Sequence, residues 1–208
     1  MDDTKIKILE ATERLIMEHG WEKVTFRMIT SEAGVNLAAI NYHFGSKDTL
    51  EDALLPRIVG PLDEKQLQAL NKEKMKAAPE FPNLENIVRC FLESMLQFSE
   101  EYPNHHRMIH GFFSGIKNKE KIKAHFKGQI DVVNQQYAEA LFKALPGVSK
   151  EKILIQYMML FETSHIFLNR DAFEGISESL GLLITIDSFL DEMIASFCAG
   201  FRMLQNIH

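Results

Sequence analysis

The sequence predicts an all-α chain: three short N-terminal helices, a linking helix, and a larger C-terminal helical bundle. Apolar residues recur at helical spacing throughout, and no stretch shows the strict alternation of a strand. Glycines at Gly20, Gly34 and Gly45 punctuate the first fifty residues into short helices, each supplying the left-handed conformation a helix end favours. From Lys47 onward the helical runs lengthen. The predicted division is therefore residues 1–46 and residues 47–208.

The first helix runs from about Thr4 to His19, with Ile8, Leu9, Thr12, Leu15 and Ile16 as its buried stripe. Trp21 and Val24 lie in a short connector. Thr25 is an N-cap for a second helix ending at Gly34, and Asn36 caps a third that runs to about Phe44. Ser46 caps the fourth, beginning at Lys47, which Pro56 and Pro61 should bend or break. The segment Lys76 to Pro82 is the clearest loop. Further helices are expected near 83–101, 104–115, 119–145, 149–169 and 177–206, separated by Pro103, Pro146, Gly147 and Gly175.

A formal net charge of −6 excludes a broadly basic nucleic-acid surface. In the first fifty residues six cations face eight acids, so DNA binding there has to rest on a few placed cations and helix N-termini. Cys90 and Cys198 are far apart in apolar helical runs, which argues against a disulfide framework and a cysteine zinc site and suits a reducing cytoplasm. The N-terminus lacks the apolar block of a signal peptide, and no stretch reaches membrane-spanning length. No paired carboxylates, phosphate loop or nucleophile elbow point to an enzyme, and no cofactor is expected.

Three short helices with a glycine-containing turn between the second and third have the layout of a helix-turn-helix. The turn is Glu32-Ala33-Gly34-Val35-Asn36. Ile29, Val35, Ile40 and Phe44 suit the core, which leaves Leu37, Ala38, Ala39, Asn41 and Tyr42 on the outer face of the third helix. Small apolar groups on such a face can meet thymine methyls in a major groove. Lys47 stands in the first turn of the fourth helix, where the dipole disfavours a cation. Either a phosphate lies there, or the ammonium is solvated and Asp48 answers the dipole.

The run Val24-Thr25-Phe26-Arg27-Met28-Ile29, followed by Ala33 through Lys47 (AGVNLAAINYHFGSK), closely resembles the DNA-binding signature of the TetR/AcrR family of bacterial transcriptional regulators. The resemblance is specific over roughly residues 5–55. It implies a TetR-like fold and a homodimeric repressor of palindromic double-stranded operator DNA, released by a small-molecule inducer. It also implies roles: Thr25 toward phosphate, Arg27 toward base edges, Leu37, Ala38, Ala39 and Asn41 facing bases, Tyr42 and His43 on phosphate or bracing the helix, and Lys47 on phosphate. Asn36 belongs to the same expected interface. Leu37 and Ala38 are apolar where many relatives carry polar residues.

The resemblance places dimerisation and an inducer pocket in the C-terminal bundle. In the last helix Ile186, Phe189, Leu190, Met193, Ile194, Phe197, Phe201 and Leu204 form a long stripe beside small Ala195, Ser196, Ala199 and Gly200. In the preceding helix Ile153, Tyr157, Met158, Leu160, Phe161, Ser164 and Leu168 cover more than one face, as expected of a helix between its own core and a partner. The expected dimer residues are Ile153, Tyr157, Leu160, Phe189, Met193, Phe197, Phe201 and Leu204. Fifteen Phe and ten Met suit an adaptable pocket for an apolar or amphipathic molecule, though ordinary core packing is the first reading of each. The candidates are Phe91, Met95, Phe98, Met108, Phe112, Phe126, Val133, Asn134, Tyr137, Met158, Phe161, Glu162 and His165. Glu162 and His165 are three apart and able to meet each other, a ligand or a partner. His105, His106 and His110 include one i,i+4 pair able to hold a metal, but no acid or cysteine lies nearby on that helix to complete a site. The alternative function is a helical ligand- or protein-binding dimer with secondary DNA binding.

Overall fold

The computed structural model describes residues 3–102, 105, 108–109, 130–168, 175, 177–181 and 184–205. Among them every regular element is helical: α1 (Asp3–His19), a 3₁₀ turn (Trp21–Lys23), α2 (Phe26–Ala33), α3 (Leu37–His43), α4 (Lys47–Ala77), α5 (Leu84–Glu101), α6 (Ile130–Ala144), α7 (Lys150–Ser164) with a 3₁₀ turn (His165–Leu168), and α8 (Ile186–Met203). The expected helix at 104–115 and the first part of that at 119–145 lie largely outside the described residues.

Side-chain caps start the short helices where the sequence places them. Thr25 Oγ1 accepts from the Met28 N–H at 3.3 Å, Asn36 Oδ1 from Ala39 at 2.8 Å, and Ser46 Oγ from Thr49 at 3.1 Å. Asn83 and Thr185 repeat the bond at α5 and α8. Gly34 closes α2 at φ 64°, ψ 34°, the left-handed region.

Two expectations are corrected. Neither Pro56 nor Pro61 breaks α4, which runs 31 residues through both. A proline lacks its own N–H but leaves the bonds of the remaining turns in place. In the turn before Pro61, the Ile58 carbonyl is met by Nε2 of His105. The single helix expected over 177–206 is interrupted: Gly181 turns at φ 67°, the Ser177 hydroxyl accepts from the Ile184 N–H, and Thr185 caps α8 afresh.

The chain forms two compact units. The first holds α1, α2, α3 and α4 as far as Pro61, with His105, Met108 and Ile109. Its core joins Ile8, Leu9, Leu15 and Ile16 of α1 to Trp21, Val24, Ile29, Ile40 and Phe44, and closes with Leu50, Leu54, Leu55, Ile58 and Val59 of α4. The first turns of α4 thus belong physically to this unit. The second unit holds the rest of α4, α5, α6, α7 and α8. Its centre is α5, packed by α6, α8 and the second 3₁₀ turn. α5 is amphipathic: Glu85, Gln97, Glu100 and Glu101 are exposed along one side, and the wide apolar side is buried in the bundle. Phe91 of α5 meets Tyr137 and Tyr157 edge-on at 5.0 and 5.7 Å.

A Cβ built on Gly34 meets nothing within 4 Å, so the cost of a side chain there is conformational. Gly34→Ala is expected to lower the unfolding free energy by about 1–2 kcal/mol. Urea denaturation checks this; an unchanged midpoint would show that the turn does not require the left-handed residue.

Candidate functional site

In the first unit α3 carries its burial on one side. Ile40 is fully buried, while Leu37, Ala38, Asn41 and Tyr42 are exposed, Tyr42 at 84%. Ala39 and His43 are half-buried. Thr25, Arg27 and Asn36 are exposed beside them. Thr25 and Asn36 use a side-chain oxygen as helix caps, which leaves the Asn36 amide N–H₂ outward. The His43 ring packs edge-on against Tyr42 at 5.1 Å.

The cations of this unit are mostly engaged. Lys7 pairs with Asp3, Arg14 with Glu32 at 2.8 Å, and Arg57 with Glu13 through both carboxylate oxygens. Lys5 lies over the Phe44 ring at 5.7 Å. The guanidinium of Arg27 has no hydrogen bond or ion pair among the described residues. It sits in the first turn of α2, where the helix dipole gives no reason for a cation.

Lys47 behaves differently from the phosphate contact that the resemblance implies. Its Nζ donates to the Trp21 and Val24 carbonyls at 2.8 Å each, leans toward the Glu22 carbonyl at 3.5 Å, and lies 4.4 Å over the Trp21 ring. The negative, carbonyl end of the 3₁₀ turn is a favourable place for a cation. This resolves the misplaced charge at the start of α4 within the domain itself. Trp21 in turn donates its indole N–H to buried Glu51 at 2.9 Å. The three residues tie the connector to α4. Sequence reasoning missed Glu51, whose only signal is its spacing of one turn from Lys47.

In the second unit the expected pocket residues separate. Phe91, Met95, Phe98 and Tyr137 are buried in its core, Asn134 and Phe161 are half-buried, and Glu162 and Met158 are exposed, Met158 at 65%. Met108 packs in the core of the first unit. Phe112, Phe126, His106 and His110 lie outside the described residues. His165 bonds the Phe161 carbonyl and stacks edge-on against the Phe161 ring, with no bond to Glu162. Burial holds the His105 imidazole below its usual pKa. No metal cluster occurs among the described residues.

A polar group forms inside the aromatic core. Tyr157 donates to Asn134 Oδ1 at 2.8 Å, and Tyr137 donates to the Gln66 carbonyl at 3.0 Å. Gln66 is buried and its side-chain Nε2 has no hydrogen-bond partner. One turn earlier on α4, Asp63 has no ion pair or hydrogen bond among the described residues, and burial raises its carboxyl to about 6. Asp63 and Gln66 were not anticipated. The available signal was Gln66 falling between Leu62 and Leu70 on one helical stripe. Burial also lifts the Cys90 thiol to about 11, so it stays protonated and inert.

The expected dimer residues divide too. Ile153, Tyr157, Leu160, Met193 and Phe201 are buried in the second unit. Phe189, Phe197 and Leu204 are half-buried. On the outer side of α7, Leu154, Ile155, Met158 and Met159 are exposed. On the outer side of α8, Ala195, Ser196, Ala199 and Met203 are exposed. Gly200 lets α7 approach: a Cβ there would come within 2.5 Å of the Gln156 amide.

The family model for bacterial regulatory proteins of the tetR family matches residues 8–54, and that for the tetracyclin repressor-like C-terminal domain matches residues 89–200. No curated protein matches the sequence. Among solved structures, a TetR-like transcriptional regulator from Rhodococcus sp. RHA1 is 16% identical with TM-score 0.65, over 96% of each chain. A transcriptional regulator from Pseudomonas aeruginosa PAO1 is 17% identical with TM-score 0.65, over 97% of this chain and 90% of that one. NalD, the secondary repressor of the MexAB-OprM multidrug efflux pump in Pseudomonas aeruginosa, is 16% identical with TM-score 0.62, over 95% of this chain and 94% of that one. At such identity the likeness is one of fold. No helix among the described residues is long and apolar enough to cross a membrane.

Two outcomes follow from the geometry. Lys47→Met should leave the Val24 carbonyl without its donor, take one of two donors from the Trp21 carbonyl, and lower stability by about 1–3 kcal/mol without any DNA present. Trp21 is the chain's single tryptophan, so its emission should shift to the red on the same substitution; unchanged stability and emission would return Lys47 to a solvated role. Asp63 has a raised folded-state pKa, so the folded chain binds its proton more tightly than the unfolded chain does. Stability should therefore fall as pH rises from about 4 to about 6. Asp63→Asn should abolish that decline in a pH series of thermal melts; an identical pH profile for both proteins refutes the assignment.

Proposed function

This chain belongs to the TetR family of bacterial regulatory proteins, transcription regulators rather than enzymes, and from that premise we propose that it is a homodimeric repressor of palindromic operator DNA, released by a small molecule. The observation that carries the DNA reading is the outer face of α3. Leu37, Ala38, Asn41 and Tyr42 are exposed on a helix whose one buried side chain is Ile40, with Arg27, unpaired among the described residues, alongside. Such a face is stable in water only at a cost, and a major groove relieves it. In this reading Arg27 and Asn41 read base edges and Leu37, Ala38 and Ala39 meet thymine methyls. Thr25, Asn36, Tyr42 and His43 position the helix on phosphates, while Lys47 holds the connector and approaches phosphate only at the edge of the contact.

Residues 1–46 carry the operator contacts and residues 47–208 the ligand and dimer functions in this proposal. Two half-sites require two recognition helices about 34–36 Å apart, hence a two-fold dimer. The dimer face is the outer apolar side of α7, Leu154, Ile155, Met158 and Met159, joined by Ala195, Ala199 and Met203 of α8. Small residues on α8 allow a second copy to approach closely. Ligand binding in the bundle acts through α4, whose first residue is Lys47 and whose later turns carry Asp63 and Gln66. By linkage, operator DNA must weaken the ligand by the factor by which the ligand weakens DNA.

Ile155→Glu and Met158→Glu should give a folded monomer by light scattering, whereas Phe201→Glu should unfold or aggregate. A folded monomeric wild type at micromolar concentration would overturn the dimer. Arg27→Ala and Asn41→Ala should each cost about 1–3 kcal/mol on operator DNA and relax sequence preference at particular positions. Equal losses on all sequences in a randomised-operator titration would contradict base reading.

A further inference from the structure

Pro61 leaves one turn of α4 short of a bond. It has no N–H for the Arg57 carbonyl, and its ring crowds the turn that ends there. The helix runs on through it all the same. That turn is the last of α4 in the first unit, which ends at Pro61, and it is held from outside twice. The Arg57 guanidinium donates to both carboxylate oxygens of Glu13 on α1. Nε2 of His105, 47 residues on in sequence, donates to the Ile58 carbonyl, next to the one that lost its partner. A carbonyl only accepts, so Nε2 carries the proton of that ring. The ring is half-buried and its backbone is anchored. Residues 105, 108 and 109 are helical and fall on one face. Met108 is buried in the same core as Leu54, Leu55 and Ile58, and Ile109 packs against that core.

We propose that His105 is a positioning residue of the first unit, a clasp that bonds the turn weakened by Pro61 and so keeps α4 seated on the core beneath the DNA face. A bent turn is stable only where its backbone groups find other partners. At an exposed turn water supplies them. Here the Ile58 side chain is fully buried and the Arg57 side chain is taken by Glu13, so the donor has to come from another segment. A neutral imidazole suits the place: it gives one N–H to the carbonyl and brings no charge into a half-buried position. The bearing of the clasp on operator binding rests on the reading of α3 as the recognition helix. Ile40 and Phe44, which seat α3, share their core with Leu54, Leu55 and Ile58. Opening the clasp loosens that core from the side of α4 and weakens DNA binding without altering any residue of the DNA face.

The test is amide hydrogen exchange of the intact protein without DNA, read on the peptide covering residues 57–66. His105→Leu should speed exchange there roughly five- to tenfold. His105→Gln, which keeps an N–H donor, should stay within about twofold of the wild type. Pro61→Ala returns the backbone N–H, so in its presence His105→Leu should change the same peptide by less than about twofold. Equal acceleration by His105→Leu with and without Pro61→Ala overturns the clasp, because the ring would then be ordinary packing. No acceleration by His105→Leu overturns it too, as does a His105→Gln protein that exchanges like His105→Leu. If His105→Leu alone does not fold, the double variant with Pro61→Ala should; if neither folds, the proposal fails. The second arm is affinity for DNA selected from a randomised pool. His105→Leu should weaken it several-fold and Pro61→Ala should restore it. Unchanged affinity in a protein whose 57–66 peptide has opened overturns the positioning role. A wild type that selects no DNA refutes the DNA reading instead, and the exchange measurements still decide the clasp.

Discussion

Helices of 8 and 7 residues do not hold their shape alone, and α2 and α3 have these lengths. Everything at the candidate DNA face follows from that constraint. Each helix contributes essentially one fully buried side chain, Ile29 and Ile40, to a core built by α1 and the first turns of α4. Packing must therefore supply what helix propagation cannot. Caps at Thr25 and Asn36 and the left-handed stop at Gly34 fix the ends, so few conformations remain for the packing to select. The economy has a functional side: with burial confined to one stripe, the rest of α3 is free to face outward.

The Trp21, Lys47 and Glu51 knot serves the same constraint from the other end. A three-residue 3₁₀ turn has poor internal hydrogen bonding. Its carbonyls find their donor in the ammonium of α4, and its indole finds an acceptor one turn further along that helix. The position of α2 relative to α4 is therefore set by polar bonds as well as by the apolar core. A purely apolar contact tolerates sliding; two 2.8 Å bonds to carbonyls do not.

Most of the N-terminal unit was legible in the sequence because its rules are local. Cap, stop and stripe each involve residues within four positions of one another, and each was placed within a residue or two. The contacts of Lys47 within the domain were not legible for the opposite reason: its partners lie 23 and 26 residues away, beyond any local rule. In the bundle, α7 shows the limit of pattern. Its apolar residues cover two faces, and periodicity says that both are covered without saying by what. Ile153, Tyr157 and Leu160 face the protomer's own core, while Ile155, Met158 and Met159 lie outside. The break before α8 was readable in principle, since Gly181 followed by Thr185 and Ser188 is a stop followed by a cap. The apolar run around it hid the signal.

Gln66 is the place where local and global reasoning disagree most. It occupies a core position between Leu62 and Leu70, where leucine would pack without an unpaired donor. Chains sit only a little above the stability they need, so a side chain that costs stability is retained when something else depends on it. The same holds for Asp63, whose carboxyl is raised to about 6 by burial, so its charged form costs more there than in solvent. One such residue is accommodated anywhere in a bundle of this size. Asp63 and Gln66 stand a single turn apart on α4, so both costs fall on one stretch of one helix.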